Sequence, residues 1–324
     1  MNVALKVDVD TLRGTRLGVP ALRQLFHDAG AGATFLFSVG PDHTGRALRR
    51  VFRRGFLGKV RRTSIVQNYG LGTLLYGTLL PGPPIGRRAG EILRETRAQG
   101  FEVGLHAYDH VRWQDFVGQR GERWTRHEFE QGADAFQSVF GMRPETAGAA
   151  GWQMNAHAFL AEEEAGLRYA SDCRGSGPFY PMIGGRVFRC LQLPSTLPTL
   201  DELIGRHGIH DENLADVLFE ASRRRAGDQV FTLHAELEGI RHRAVLKRLL
   251  TLWREAGVPC VSLGAMYQGL DLARVPVCEV RMGTVPGRTG RLARQGRARD
   301  GTETQSADAR SLPISAFSLV ESNR

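Results

Sequence analysis

The feature that most constrains this chain is a pair of acids closing an apolar run near its start, Val3-Ala-Leu-Lys-Val-Asp-Val-Asp10. Apart from Lys6 and Asp8, Val3 to Val9 has the composition of a buried β-strand. Alternate residues of a strand point the same way, so Asp8 and Asp10 can face one spot where the strand ends. Two carboxylates held there repel each other and lose hydration unless a cation or a proton lies between them. The bland alternative is a solvated turn after an edge strand. Against it stands His106-Ala-Tyr-Asp-His110, whose two imidazoles, added to the acids, make a donor set for a divalent transition metal. Zinc, cobalt and manganese all suit such a set.

The order of elements supports a parallel sheet. Pro20 to Ala29 has the apolar spacing of a helix, and Ala33 to Ser38 that of a second strand, so the first crossover is strand–helix–strand. Helical periodicity returns over Ile85 to Gln99, and Phe101 to Leu105 is a strand that delivers His106. Thr125 with Glu128 has the form of a capping box starting the next helix, and Asn155 that of a helix cap. A strand over Leu167 to Ser171 leads into Asp172-Cys-Arg-Gly175, and Val187 to Leu193 is a further apolar run. Asp211 is placed to cap a helix through Ala221. Gln229 to Leu233 is a strand that puts His234 at its end, Arg241 to Glu255 is a helix, and Pro259 to Leu263 closes the series. His-Ala-Glu-Leu-Glu-Gly, residues 234 to 239, adds Glu236 and Glu238 as possible partners for a substrate amine or hydroxyl.

Two stretches stand outside that rhythm. Arg46 to Arg62 carries eight basic residues and no acid, and Thr63 to Gly86 follows with twenty-four uncharged residues. The most apolar part, Leu71 to Leu80, is about half the twenty residues a membrane span needs and is interrupted by glycine. A span, a glycine-rich buried loop and an interfacial element all remain open here. Arg49, Arg50, Arg53 and Arg54 beside Leu74, Leu75 and Tyr76 are what an anionic leaflet attracts. The second stretch, from about Ala273, loses periodicity, and Arg281 to Arg299 holds six arginines without an acid. Residues 271–324 are therefore expected to be a peripheral or mobile tail on a domain spanning 1–270, with an insertion at about 46–84. The formal charge of +9 would admit nucleic acid, but no zinc-finger spacing or aromatic single-strand motif accompanies it, so none is expected. Four widely spaced cysteines without a C-x-x-C pair suit a reducing compartment, and the chain enters its first strand without a cationic leader, so export is not expected.

A set of strings carries a specific resemblance: Lys6-Val-Asp-Val-Asp-Thr11, Thr34-Phe-Leu-Phe-Ser38, Val103-Gly-Leu-His-Ala-Tyr-Asp-His110, Ala149-Ala-Gly-Trp152, Ser171-Asp-Cys-Arg-Gly175 and Thr232-Leu-His-Ala-Glu-Leu-Glu-Gly239. Occurring in this order over residues 1 to about 270, they resemble the metal-dependent polysaccharide deacetylases, the NodB-homology proteins of carbohydrate esterase family 4, and within them the deformylases of lipid-linked formamido sugars. The resemblance implies a distorted, incomplete (β/α) barrel. It also implies a metal held by Asp10, His106 and His110, with Asp8 as general base and His234 as general acid. Asp109, Trp152, Asp172, Arg174, Glu236 and Glu238 are candidates to bind substrate or tune the site. Two departures from the family pattern matter. The family's first motif commonly has adjacent aspartates, whereas here Val9 separates them, which leaves open which one ligates. The arginine-proline string of its third motif is replaced around Gly148 to Trp152, and Arg174 is the candidate for the missing positive charge.

The implied reaction is hydrolysis of the formamide of undecaprenyl-phosphate-linked 4-deoxy-4-formamido-L-arabinose. Its amino product would decorate lipid A and lower the affinity of polymyxin. The implied location is peripheral, on the cytoplasmic face of the bacterial inner membrane among anionic lipids. Two other readings stay open: a deacetylase of another N-acylated sugar, and a basic membrane-binding protein on a degenerate hydrolase scaffold. Formyl against acetyl substrates separate the first of these from the deformylase, and bound metal with formate release separates the second.

Overall fold

A computed structural model describes residues 1–47 and 72–299. Its strands are β1 (Val3–Val9), β2 (Thr34–Ser38), β3 (Glu102–Ala107), β4 (Thr146–Ala147), β5 (Tyr169–Ala170), β6 (Tyr180–Ile183), β7 (Arg186–Val187), β8 (Leu191–Gln192), β9 (Gln229–His234), β10 (Cys260–Val261), β11 (Val277–Gly283) and β12 (Leu292–Ala298). Eight of them form a parallel sheet in which β9, β1, β2, β3, β4, β5 and β8 run side by side and β10 pairs with the start of β1. No ladder joins β8 to β9. Instead the backbone N–H groups of Thr196 and Leu197 donate to the Val230 carbonyl, and Ser195 Oγ meets Thr232 Oγ1 at 2.6 Å. The barrel is thus incomplete as a sheet and closed by a loop.

The alternation within β1 explains how one strand serves two environments. All seven residues are buried, although two carry charge. Val3, Leu5, Val7 and Val9 face outward into the large core beneath the helices. Ala4 faces inward with Tyr169, Leu191, Leu193 and Val230 to form an apolar plug. Lys6 and Asp8 point the same way as Ala4, and Asp10 follows at the mouth. The barrel interior therefore runs from an apolar floor through a buried cation to acids at the strand ends.

The outer layer comprises α1 (Val19–Ala29), α2 (Ile85–Ala98), α3 (His110–Phe116), α4 (Glu122–Phe140), α5 (Ala156–Glu164), α6 (Leu200–Leu203), α7 (Leu214–Arg223) and α8 (Arg243–Glu255). Each long helix buries one stripe: Leu22, Leu25 and Phe26 in α1, and Phe129, Ala133, Phe136 and Phe140 in α4. Phe26, Phe35, Phe37, Phe101, Phe136 and Phe140 form a chain of ring contacts at 4.3–6.2 Å across this layer. Burying each such ring stabilises the fold by about 1.5–3 kcal/mol relative to exposure.

Several local expectations are corrected. α4 starts at Glu122 with Gly121 before it, so Thr125 lies inside the helix and its hydroxyl donates to the Gly121 carbonyl, while Glu128 pairs with Arg112. The residue before α7 is Asn213, not Asp211, which lies 3.6 Å from His242. Thr199 and Glu202 form a capping box that was not foreseen, at the start of α6. The largest correction concerns the tail. Its residues 277–298 form the antiparallel pair β11–β12, and β11 pairs in parallel with β6, making a second sheet of four strands against the barrel. The alternation of Cys278, Val280 and Met282 in β11 is short and stands among Gly and Arg, and the hairpin depends on long-range pairing with β6, so these strands were passed over.

Of the insertion, the structure describes only its two ends. Residues 72–80 make a short helical turn and a tight loop in which Gly77 adopts a positive φ of 74° and Leu79 is 81% exposed. Arg46 Nε donates to the Gly77 carbonyl at 2.9 Å, tying the ends together. Arg49, Arg50, Arg53 and Arg54 lie outside the described residues. Among the described residues, no helix is long and apolar enough to cross a membrane.

Candidate active site

Three strand ends and the start of one helix meet at one mouth of the barrel. β1 supplies Asp8 and continues to Asp10, β3 supplies His106, the first residue of α3 is His110, and β9 ends at His234. The β1–β9 register sets Asp8 directly beside His234, so both project into the barrel from neighbouring strands. These residues line a cavity of about 190 Å³, together with Gln114, Trp152, Asp201, Glu236 and Arg288.

The geometry separates the two aspartates. Asp10 Oδ1 lies 3.2 Å from His106 Nε2 and 3.4 Å from His110 Nε2, and one ligand atom from each of the three falls within 4.8 Å of the others. Asp8 lies deeper, with Oδ2 3.5 Å from Lys6 Nζ and Oδ1 3.8 Å from His106 Nδ1. His106 Nδ1 is 2.6 Å from the Gly148 carbonyl. A carbonyl only accepts, so Nδ1 carries a proton and Nε2 is the ring nitrogen turned to Asp10. The buried Asp10 Oδ1 makes no hydrogen bond. Two imidazoles and a carboxylate oxygen without a hydrogen bond at one point are a donor set that fits a divalent ion.

The acids and imidazoles of the site also stabilise one another's charged forms. Burial pushes the Asp10 carboxyl up, but the imidazoles of His110, His106 and His234 outweigh it and hold Asp10 well below the carboxylate range. Burial pushes His106 down, and Asp8 and Asp10 more than reverse this. The residues between the strand ends serve to hold them. Glu236 Oε1 accepts from the Asp10 and Thr11 backbone N–H groups and from Thr11 Oγ1, fixing the turn after β1. Gly14 is required beside it, since a Cβ there would sit 2.0 Å from that oxygen. Burial, and next the Asp10 charge, push the Glu236 carboxyl up to about 8. Glu238 accepts from the His234 backbone N–H at 2.8 Å, and burial likewise pushes it up to about 8.

The remaining candidates divide. Trp152 lines the cavity, buried, with a positive φ of 53°, and its indole N–H donates to Ser195 Oγ. Asp109 does not orient a ligand imidazole. It caps α3 by accepting from the Arg112 N–H, and it holds His43, at 2.6 Å, on the loop that leads to the insertion. Asp172 is buried behind the site, accepting from the Ala149 N–H and from Gln192. Arg174 is also behind it, donating to Glu202 at 2.7 Å and to the Leu197 carbonyl, 5.1 Å from the Trp152 ring centroid. Glu238 does not reach the cavity, and Leu74, Leu75 and Tyr76 lie in the 72–80 turn away from it.

The guanidinium that does line the cavity is Arg288, in the loop between β11 and β12. It was missed, as were Asp201 and Gln114. The only sequence signals near them were the arginine run and the Thr199-Leu-Asp-Glu202 string of a capping box.

No family model matches the sequence. Curated relatives do. A Shewanella sediminis (strain HAW-EB3) protein named "Probable 4-deoxy-4-formamido-L-arabinose-phosphoundecaprenol deformylase ArnD" is 35% identical over 294 residues, 91% of this chain and 94% of that protein. A Wigglesworthia glossinidia brevipalpis protein of the same name is 30% identical over 284 residues, 87% of this chain and 98% of that protein. Solved structures share the fold: a "probable polysaccharide deacetylase" from Pseudomonas aeruginosa PAO1 (16% identity, TM-score 0.52, 82% of this chain and 90% of that one) and PuuE allantoinase (16%, 0.54, 82% and 89%). Near-complete coverage at these identities, on a half-barrel of this type, means that the chain belongs to the 4-deoxy-4-formamido-L-arabinose-phosphoundecaprenol deformylase family, built on the NodB-type polysaccharide deacetylase fold.

Proposed function

We propose that this chain hydrolyses the formamide of 4-deoxy-4-formamido-L-arabinose carried on undecaprenyl phosphate, releasing formate and leaving the sugar's 4-amine free. The observation that carries the reading is the convergence of Asp10, His106 and His110 on one point, with Asp8 and His234 beside it in the same cavity. The relatives' name supports the choice of substrate.

Asp10, His106 and His110 would hold a divalent ion, and zinc, cobalt and manganese all accept such donors. Bound there, the ion supplies the positive charge that polarises the formyl carbonyl and makes a water easier to deprotonate. Asp8 takes the proton from the water whose oxygen bonds to the formyl carbon; its Oδ1 is buried without a hydrogen bond and so is open to accept one. Lys6, anchored on the Ser171 carbonyl at 2.8 Å, holds the other oxygen. As the C–N bond breaks, His234 delivers a proton to the departing nitrogen, which leaves as an amine rather than as an amide anion. Trp152 closes one wall of the cavity.

The lipid tail of such a substrate stays in a bilayer, so the enzyme must come to the surface. The exposed Leu75, Leu79 and Leu80 at the insertion's end support peripheral attachment to the anionic cytoplasmic leaflet, with the arginine-rich segment adding about 1 kcal/mol per basic residue near the surface. The amino sugar made there would pass to lipid A and lower its negative charge, which is the route to polymyxin resistance.

One experiment tests the whole reading: formate release from the lipid-linked formamido sugar in anionic vesicles, by metal-stripped and metal-restored protein, with co-sedimentation followed in parallel. Formate equal to free amine, only after metal is restored and only from the formyl substrate, is expected. Restored protein that releases no formate would reject the activity, and protein that stays in the supernatant would reject the membrane attachment.

A further inference from the structure

The tail hairpin brings one feature to the site that the reaction chemistry does not use. Among the described residues lining the cavity, Arg288 is the one lysine or arginine, and it shares the lining with the acids Asp8, Asp10, Asp201 and Glu236. We propose that Arg288 receives the phosphate of the substrate and thereby selects a sugar phosphate over an uncharged sugar. The inference rests on the proposed function, because only that substrate carries a phosphate one sugar ring away from its formamide.

The position of Arg288 is built, not incidental. Its Nε donates to Glu202 Oε1 at 2.8 Å and its Nη2 to Asp201 Oδ2 at 2.8 Å, and its guanidinium lies 4.4 Å from the centroid of the buried Trp152 ring. Glu202 is itself buried and shared with Arg174, so the carboxylate that fixes Arg288 cannot neutralise it alone. Asp201 is the second counter-charge, but its side chain is 42% exposed, so water weakens its hold. These contacts use Nε and Nη2. Nη1 donates to no acceptor among the described residues. A guanidinium has five N–H donors in a fixed plane, so two carboxylates on one edge leave the other edge for a phosphate oxygen.

The chemistry of the cavity gives the second reason. A phosphodiester approaching a wall of carboxylates is repelled, and the metal site lies where the formyl oxygen must go. Among the described lining residues, Arg288 is the fixed cation that can meet the anion without occupying that position. The hairpin carries the guanidinium at a fixed place, because β12 is tied to the barrel through the Arg174 N–H to the Ala293 carbonyl and the Gln295 N–H to the Arg174 carbonyl. Arg288 and the Asp10–His106–His110 cluster thus line one cavity, as a ligand with its amide at one end of a pyranose and its phosphate at the other requires.

The test compares two substrates and two variants in metal-loaded full-length protein. The substrates are the formamido sugar as its 1-phosphate ester and as its uncharged methyl glycoside. Arg288→Gln is expected to raise KM for the phosphate ester by about tenfold or more, as a charge-assisted contact is lost, and to change kcat little. On the methyl glycoside it should match the wild type. Arg288→Lys, which keeps the charge and loses the fork, should fall between them. An equal loss on both substrates, or none on the phosphate ester, overturns the assignment. A separate binding measurement needs no turnover. L-arabinose 1-phosphate should bind the wild type more tightly than Arg288→Gln, and methyl arabinoside should bind both equally. Equal binding of the phosphate to both proteins overturns the proposal even if the activity assigned above proves wrong, whereas a wild type that binds the phosphate through Arg288 but releases no formate overturns only the activity.

Discussion

The cavity has two walls that are made in different ways. On one, Asp8, Asp10, His106 and His234 stand at the ends of paired parallel strands, and the β1–β9 register alone brings Asp8 opposite His234. On the other, Trp152, Asp201 and Arg288 come from a tight turn, a one-turn helix and a hairpin loop, and are held together by one buried carboxylate and ring contacts. The first wall is set by backbone hydrogen bonds, so its side chains are replaceable without loss of the frame. The second is set by side-chain contacts centred on Glu202, so the frame depends on that one carboxylate. Chemistry that needs sub-ångström placement sits on the first, and recognition on the second.

The largest expected effect tests the first wall. Asp8→Asn should retain stoichiometric metal and lose about 10²–10⁴-fold in turnover, the usual worth of a general base. Asp10→Asn should instead lose its metal, since a formal negative charge leaves the donor set. His106→Ala and His110→Ala should behave as Asp10→Asn does, with unchanged far-ultraviolet circular dichroism. Elemental analysis beside formate release decides, and metal kept by Asp10→Asn but lost by Asp8→Asn would exchange the two roles.

A middling effect tests the second wall. Glu202→Ala leaves two guanidiniums, one of them deeply buried, without their shared partner, which costs about 3–5 kcal/mol. The melting temperature should fall, KM should rise as Arg288 loses its anchor, and metal content should stay at one per chain. Loss of metal in this variant would show that the two walls are not independent.

The smallest effect sharpens the division within the strand side. Glu162 is buried beside Asp172, behind His106 and away from the cavity, and burial first, then the Asp172 charge, pushes its carboxyl well above the usual range. A raised folded-state value means that its contribution is full below the unfolded value and is lost as pH rises through the folded one. Glu162→Gln copies the neutral form. Its urea midpoint should therefore decline less than that of the wild type as pH is raised, with turnover unchanged. A drop in turnover comparable to that of Asp8→Asn would make Glu162 part of the site.

The sequence by itself determined the strand-end half of this protein. Asp8 and Asp10 two apart on a strand, His106 and His110 four apart across a strand end, and His234 closing another strand are short-range facts, and strand alternation turns them into directions without further information. Only the tertiary structure decided the rest. It set which aspartate meets the histidine pair, through the depth of Asp8 beside Lys6. It turned Asp109 toward His43, and Arg174 away from the site toward Glu202. Above all it folded residues 277–298 into a hairpin. β11 alternates Cys278, Val280 and Met282 with charged residues, but β12 is apolar only at Leu292, Ala293 and Ala298, and the hairpin is held by pairing with β6 about a hundred residues earlier and by ion pairs to Glu202 and Asp201. A partner so distant leaves no trace in local spacing, and so the one arginine that enters the cavity could not be told from its neighbours in the run until the chain was folded.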